Sequence, residues 1–280
     1  EELEDGLAKA WSPVSHLNSV CNSEALREAY NACPPLLSEY STWLGQHSDL
    51  YAAYQQLAEG QTSTTLDTAQ QKSIHQSLRD FRLAGVALPP DKKKGYGELR
   101  QRLSKLGSTF GENVLDATNA WSKQVTAEQL RGLPETAMAS AKQAAVAAGH
   151  QDYLINLEFP SLSPVLNYCD DRELRETVYT AHCTRASELG PNGGQWDNTA
   201  LITDTLQLRS ELSQLLGFEN YAELSLATKM AESAASVVDF LQQLAEQSLS
   251  QAKEEWRELV DFARNDTGLT DLQSWDVGYY

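Results

Sequence analysis

The chain has 280 residues, 41% of them hydrophobic, which is enough to bury a sizeable core as one large domain or two small ones. Its net charge of −17 repels phosphate backbones and argues against a nucleic-acid partner. Sparse glycine and proline exclude a chain disordered over most of its length, and no apolar run approaches the roughly 18 residues of a membrane span.

In chain order, the opening Glu1–Glu2–Leu3 lacks Met and any leader pattern, and reads as a trimmed start. Helices are expected over Pro13–Val20, Glu24–Gln46, Ser48–Glu59, Asp67–Ala84 and Lys92–Asp116, with breaks at Gly60 and Pro89–Pro90. The basic run Lys92–Lys93–Lys94 reads as a solvated loop or helix start. Ala120–Thr126, with Trp121, Val125 and Thr126, is expected as a strand paired with Tyr153–Phe159. In the latter, Tyr153, Ile155, Leu157 and Phe159 alternate with Leu154, Asn156 and Glu158 before Pro160 ends the run. This ribbon brackets a helix over Pro134–Ala148, set off by Gly132 and Gly149.

Further helices are expected over Asp171–Glu188 and Asn198–Leu216. The second carries Leu201, Leu208, Leu212 and Leu215 on its buried side, is capped by Asp197 or Asn198, and stops at Gly217. After an aromatic turn, another helix is expected to carry Lys229 and Met230. Arg209 lies off the leucine stripe and is expected to be fixed by polar contacts. The last long helix is marked by Val238, Leu241, Ala245, Leu249, Ala252, Trp256, Leu259 and Ala263 at steps of three and four. Ser236 and Ser233 compete as its N-cap. The fold class that follows is all-α, or mostly α, with one short two-stranded β ribbon and no fixed-length repeat.

Motifs that carry chemistry are missing. His16, His47, His75, His150 and His182 include no pair at the four-residue spacing of HExxH, so a zinc site made from this chain alone is not expected. His182 and Cys183 are adjacent, and on a helix they diverge by about 100°. They read as a partly exposed histidine beside a core cysteine rather than a thiol–imidazole pair. GxxxxGK[ST] and GxGxxG are absent, and Gly190–Gly194 follows no strand, so it reads as a plain connection. Cys21, Cys33, Cys169 and Cys183 show no CxxC spacing. Disulfides in a secreted protein are one reading of them, but four scattered thiols fit a reducing cytoplasm better. No catalytic, cofactor-binding or metal-ligating residue is assigned.

The run LLGFENYAELSLATKMAES, Leu215–Ser233, resembles the corresponding region of the thimet oligopeptidase-like family of zinc metallopeptidases. The likeness extends through Leu174–Arg175, Tyr179, Arg185–Ala186–Ser187, Trp196–Asp197–Asn198, Leu208–Arg209, Trp275–Asp276 and Tyr279–Tyr280. SPVSHLNSV, LLSEYSTWLGQH, LRDFRLAGVALP and NVLDATNAW carry it over essentially the whole chain. The resemblance implies a neurolysin-like, helical half of a soluble, channel-forming enzyme that cleaves short peptides. It implies one helical N-terminal part over 1–280, with a possible subdivision into 1–150 and 151–280. It also implies zinc in the intact protein, held by an HExxH helix and a later Glu in a C-terminal half that this chain lacks. This chain is then expected to supply channel wall, to be inert alone, and to self-associate through surface left open, including Trp275, Tyr279 and Tyr280. The alternative is a non-catalytic helical protein that binds peptides or a partner. A gene continuing past Tyr280 into HExxH separates the two.

Overall fold

The computed structural model describes residues 2–280, which form eleven α-helices and one two-stranded sheet among the described residues. Contacts divide the chain into two compact units, each drawn from two stretches: Glu1–Thr109 with Leu201–Glu232, and Phe110–Ala200 with Ser233–Tyr280. No helix of the described residues is long and apolar enough to cross a membrane.

In the first unit, α1 (Glu2–Val20), α2 (Glu24–Gly45) and α3 (Ser48–Glu59) contain no buried residue. The helix expected from Pro13 instead runs back to Glu2. Leu3, Leu7, Ala10, Val14 and Leu17 keep the helical period straight through Pro13, and that stripe outweighs the local break. Trp11 of α1 stacks on Tyr30 of α2 with ring centroids 4.9 Å apart. A 3₁₀ turn (Gln61–Thr65) leads to α4 (Thr68–Leu83), whose N-cap Asp67 and Gln70 form a reciprocal capping box. Phe81 of α4 is buried against Tyr51 and Tyr54 of α3. α2 and α4 meet end to end: the Gln46 side-chain amide donates to the Ala84 carbonyl at 3.0 Å. A Cβ on Gly45 would lie 2.5 Å from that of Ala84, so this approach needs glycine.

α5 (Pro90–Asn119) starts on the proline, where a missing N–H costs nothing, and places Lys92–Lys94 in its opening turns. From Phe110 onward it belongs to the second unit. There β1 (Ser122–Val125) pairs antiparallel with β2 (Tyr153–Asn156), in the register Ser122 to Asn156 and Val125 to Tyr153. α6 (Glu135–Ala147) joins the two strands and buries Ala141 and Ala145. The ribbon and its bracketed helix are thus as expected from the alternating pattern.

The second strand ends earlier than expected, at Asn156. Phe159 and Pro160 open α7 (Phe159–Tyr168), a helix the sequence reading missed. Pro160 in the first turn begins the helix rather than merely stopping the strand. The Asn156 N–H donates to Ser161 Oγ at 3.0 Å, tying strand end to helix start. α8 (Arg172–Thr184) is capped by Asp171, whose carboxylate accepts from the Leu174 N–H at 3.1 Å. It stops short of the expected Glu188, because Ala186 turns left-handed (φ 54°) and its carbonyl accepts from the Asn198 N–H. Val125, Leu130, Ile155, Leu157, Leu162, Val165, Cys169, Leu174 and Val178 form one core among β1, β2, α6, α7 and α8.

α9 (Thr199–Leu215) buries Leu208 and Leu212 and ends at Gly217 (φ 83°), where the Phe218 N–H reaches back to the Ser213 carbonyl. α10 (Tyr221–Leu226) is shorter than expected. Lys229 and Met230 lie in the turn after it, and Met230 is fully exposed. α11 (Ala234–Thr267) has Ser233 as N-cap in a reciprocal box with Ser236; the Ser236 alternative is not the one formed. Gly268 (φ 75°) closes it in the left-handed conformation.

Candidate functional site

The run that carries the family resemblance is a capped connection. Asn220 accepts from the Glu223 N–H at 3.0 Å and starts α10, while Lys229 Nζ donates to Ser225 Oγ at 2.6 Å across its end. Arg209 is exposed, and its guanidinium lies 4.9 Å from the centroid of the Tyr221 ring. Among the described residues it is therefore this aromatic face, rather than the polar contacts expected for it, that positions it. A cation over a ring at an exposed site contributes about 0.5–1 kcal/mol. Arg209→Ala is accordingly expected to lower stability by at most about 1 kcal/mol in chemical denaturation.

The densest polar constellation lies in the second unit, where the segment after α11 folds back onto α8. Asp276, fully buried, accepts from Arg172 Nε at 3.0 Å and Arg172 Nη2 at 2.7 Å, from Arg175 Nη2 at 2.9 Å and from the Gln273 N–H at 3.0 Å. Arg175, only 2% exposed, also donates to the Cys169 carbonyl at 2.6 Å, and its guanidinium lies 4.0 Å from the Tyr279 ring centroid. Arg172 donates to the Asp271 carbonyl at 2.8 Å and sits 6.0 Å from the Trp275 ring centroid. Tyr279 donates its hydroxyl to Asp170 at 3.0 Å, and Asp170 meets Arg131 at 3.3 Å. Gly132 (φ 93°) makes this junction possible: a Cβ there would lie 2.1 Å from the Tyr168 carbonyl oxygen.

Burial alone would raise the Asp276 carboxyl, but the hydrogen bonds from Arg172 and Arg175 outweigh it and hold the group below the usual carboxylate range. A carboxylate so fully engaged has no lone pair free to take a proton from a substrate, so the cluster is a structural clamp rather than an acid–base pair. Burial pushes the Cys169 thiol up, and its Sγ contacts the Gln129 carbonyl at 3.0 Å, which makes it an inert core group.

The adjacent pair on α8 resolves opposite to expectation in one respect. Cys183 is exposed, whereas His182 is partly buried, with its pKa lowered by that burial and by Arg185. Cys183 is not a core cysteine, because Ala181 and Val178 occupy the inward face of α8. Gly190–Gly194 is a run of turns with Gly193 and Gly194 at positive φ. Trp275, Tyr279 and Tyr280, expected to be left open, are instead half-buried within the chain. Trp275 packs on Tyr179, and Tyr280 on Tyr279 and Phe262. The Arg–Asp clamp recruits them, and no local pattern announced it. Its members do fall inside the quoted segments Leu174–Arg175, Trp275–Asp276 and Tyr279–Tyr280.

For metal chemistry, no group of three or more His, Cys, Asp or Glu side chains that could hold an ion occurs among the described residues. His150 is engaged with the Gln124 amide at 2.9 Å, and His47 caps α3 by accepting from the Leu50 N–H. The donors among the described residues do not fit a zinc site. In the first unit, a shallow groove of about 430 Å³ runs among α1, α2 and α5, lined by the Trp11–Tyr30 stack, Tyr96, Arg100 and Ser104.

Compared with known proteins, residues 165–280 match the model of peptidase family M3, and residues 1–93 match that of the neurolysin/thimet oligopeptidase N-terminal domain. Oligopeptidase A from Escherichia coli and that from Salmonella typhimurium are each 52% identical over 280 residues, covering 100% of this chain and 41% of theirs. Probable cytosolic oligopeptidase A from Arabidopsis thaliana is 35% identical over 290 residues, again 100% of this chain and 40% of its own. Saccharolysin from Saccharomyces cerevisiae is 23% identical, with 100% and 38% covered. The chain therefore spans about two-fifths of the length of these relatives.

Proposed function

We propose that this chain, which matches peptidase family M3 over residues 165–280 and the neurolysin/thimet oligopeptidase N-terminal domain over residues 1–93, is the N-terminal part of a zinc-dependent oligopeptidase of the oligopeptidase A type. The observation that carries this is 52% identity along all 280 residues to two proteins named oligopeptidase A. The intact enzyme hydrolyses short peptides, and this part contributes helical wall to the channel that admits them. A cytoplasmic setting is supported by four cysteines that are all free thiols. A net charge of −17 speaks against nucleic acid as a partner.

In this reading zinc and the general base come from a part of the enzyme outside these 280 residues, a reading supported by the lack, among the described residues, of any group of three or more His, Cys, Asp or Glu that could hold an ion. The 280-residue chain is expected to hydrolyse a quenched-fluorescent peptide no faster than buffer with zinc present, while the full-length gene product does so in a chelator-sensitive way. One tightly held zinc per 280-residue chain, with chelator-sensitive cleavage, would overturn the assignment. A second reading, a non-catalytic peptide-binding helical domain, draws on the groove between α1, α2 and α5, where the Trp11–Tyr30 stack and Arg100 offer apolar and cationic contacts. A full-length product that binds peptides without cutting them would favour it.

A further inference from the structure

α11 is amphipathic, yet within its own unit nothing among the described residues covers its middle. Every residue from Val238 to Glu258 is exposed, on the apolar and the polar face alike. Along the apolar stripe Val238 is 59% exposed, Leu241 55%, Leu249 52% and Trp256 48%. From Val238 to Trp256 this stripe is about 27 Å long at the rise of an α-helix. Ala245 and Ala252 lie between the large side chains, leaving room for an opposing chain to approach. A helix stabilised mainly by its apolar face gains little from a face that meets only water. A continuous apolar seam of this length marks a contact surface.

Three occupants compete for it: a second copy, an unrelated partner, or the remainder of the same polypeptide. Each copy carries a net charge of −17, which opposes pairing of two such chains. The relatives that match this chain end to end are more than twice as long, and the matched M3 segment runs up to residue 280. A covalently attached remainder also meets the seam at high effective concentration, which a free partner does not. We propose that the α11 seam, Val238–Leu241–Ala245–Leu249–Ala252–Trp256, is the docking surface for the peptidase segment that follows residue 280, so that α11 joins the two parts of the enzyme. This rests on the reading of the chain as part of a longer oligopeptidase.

The test is peptide-resolved maleimide labelling of Leu249→Cys in the 280-residue chain and in the full-length protein, with peptidase activity measured alongside. Exposed Cys21 and Cys183 serve as internal references. Docking predicts that Cys at 249 reacts freely in the 280-residue chain and at least about tenfold more slowly in the full-length enzyme, as expected for a site that must open to react. Leu241→Asp with Trp256→Asp provides a second measurement. It should leave the melting of the 280-residue chain within about 1 °C and lower that of the full-length protein by several degrees. Equal labelling in both, in an active full-length enzyme, overturns the docking and leaves the peptidase assignment standing. Protection in the 280-residue chain that grows with its concentration assigns the seam to a second copy and likewise overturns the proposal. An inactive full-length protein in which Cys at 249 is protected removes the peptidase reading but not the docking.

Discussion

Asp276→Ala is expected to lower the stability of the second unit by about 3–5 kcal/mol, because it leaves the guanidinium of Arg175 buried without its counter-charge. Arg175 is 2% exposed and Asp276 fully buried, so solvent cannot replace the lost partner. Arg172 is 39% exposed at its side chain, and Arg172→Ala should cost clearly less, since water can take up part of the role. At roughly 2–4 °C per kcal/mol for a domain of this size, Asp276→Ala should melt on the order of 10 °C below the parent by calorimetry. The indole of Trp275, one residue away, provides a local fluorescence readout. A shift below about 2 °C would show that the clamp is not what anchors the C-terminal segment.

The same group sets a pH dependence. Its folded carboxyl is held below the ordinary value, near 3.9 for an unfolded Asp, so its contribution is fully present above that value. The contribution is lost as pH falls through the depressed folded pKa. The parent should therefore lose stability on acidification below about pH 4 more steeply than Asp276→Asn, which has no carboxyl to protonate. Urea melts at stepped pH would test this, and parallel acid limbs for the two proteins would refute it.

Gly132→Ala is the second change with a large expected effect. Gly132 has φ 93°, a conformation that side chains disfavour at about 1–3 kcal/mol. The added Cβ would also meet the Tyr168 carbonyl oxygen at 2.1 Å and Asp170 Oδ1 at 2.8 Å. Backbone cannot step aside as a flexible side chain can, because the Asp170 N–H is bonded to the Arg131 carbonyl at 2.9 Å in the same junction. Strain and overlap together point to a loss of about 3 kcal/mol or more. Gly149→Ala offers a control: φ is 79°, but nothing lies within 4 Å of the new Cβ, so only the strain should be felt. Equal melting of the two variants would show that the Tyr168 contact yields.

Some of this architecture is written locally. The alternation of Tyr153, Ile155 and Leu157 fixed a strand, because side-chain period two places all three on one face, and Ile155 and Leu157 are indeed core residues. The leucines of α9 announced their own buried side, and Leu208 and Leu212 lie on it. α7 escaped because Phe159 continues the strand's alternation while Pro160 is equally at home ending a strand or opening a helix. The choice was made by the Asn156–Ser161 hydrogen bond and by burial of Leu162 and Val165. Local pattern also could not say which cysteine was inside: Cys169 packs in the core and Cys183 faces solvent, although each lies in or beside a helix.

The sequence by itself determined the mostly helical class, the single ribbon and the helix stop at Gly217, and its ordered segments carried the family resemblance. All of these reside in spacings of two to four residues or in ordered runs of residue types. Only the tertiary structure decided that Asp276 meets Arg175 across about a hundred residues of chain, drawing Trp275 and Tyr279 inward. It alone decided that the apolar stripe of α11 is exposed over Val238–Trp256. Periodicity reports that a face is apolar, because the helix repeat is a short-range property. What that face meets depends on contacts between residues far apart in sequence, and those exist only once the chain is folded.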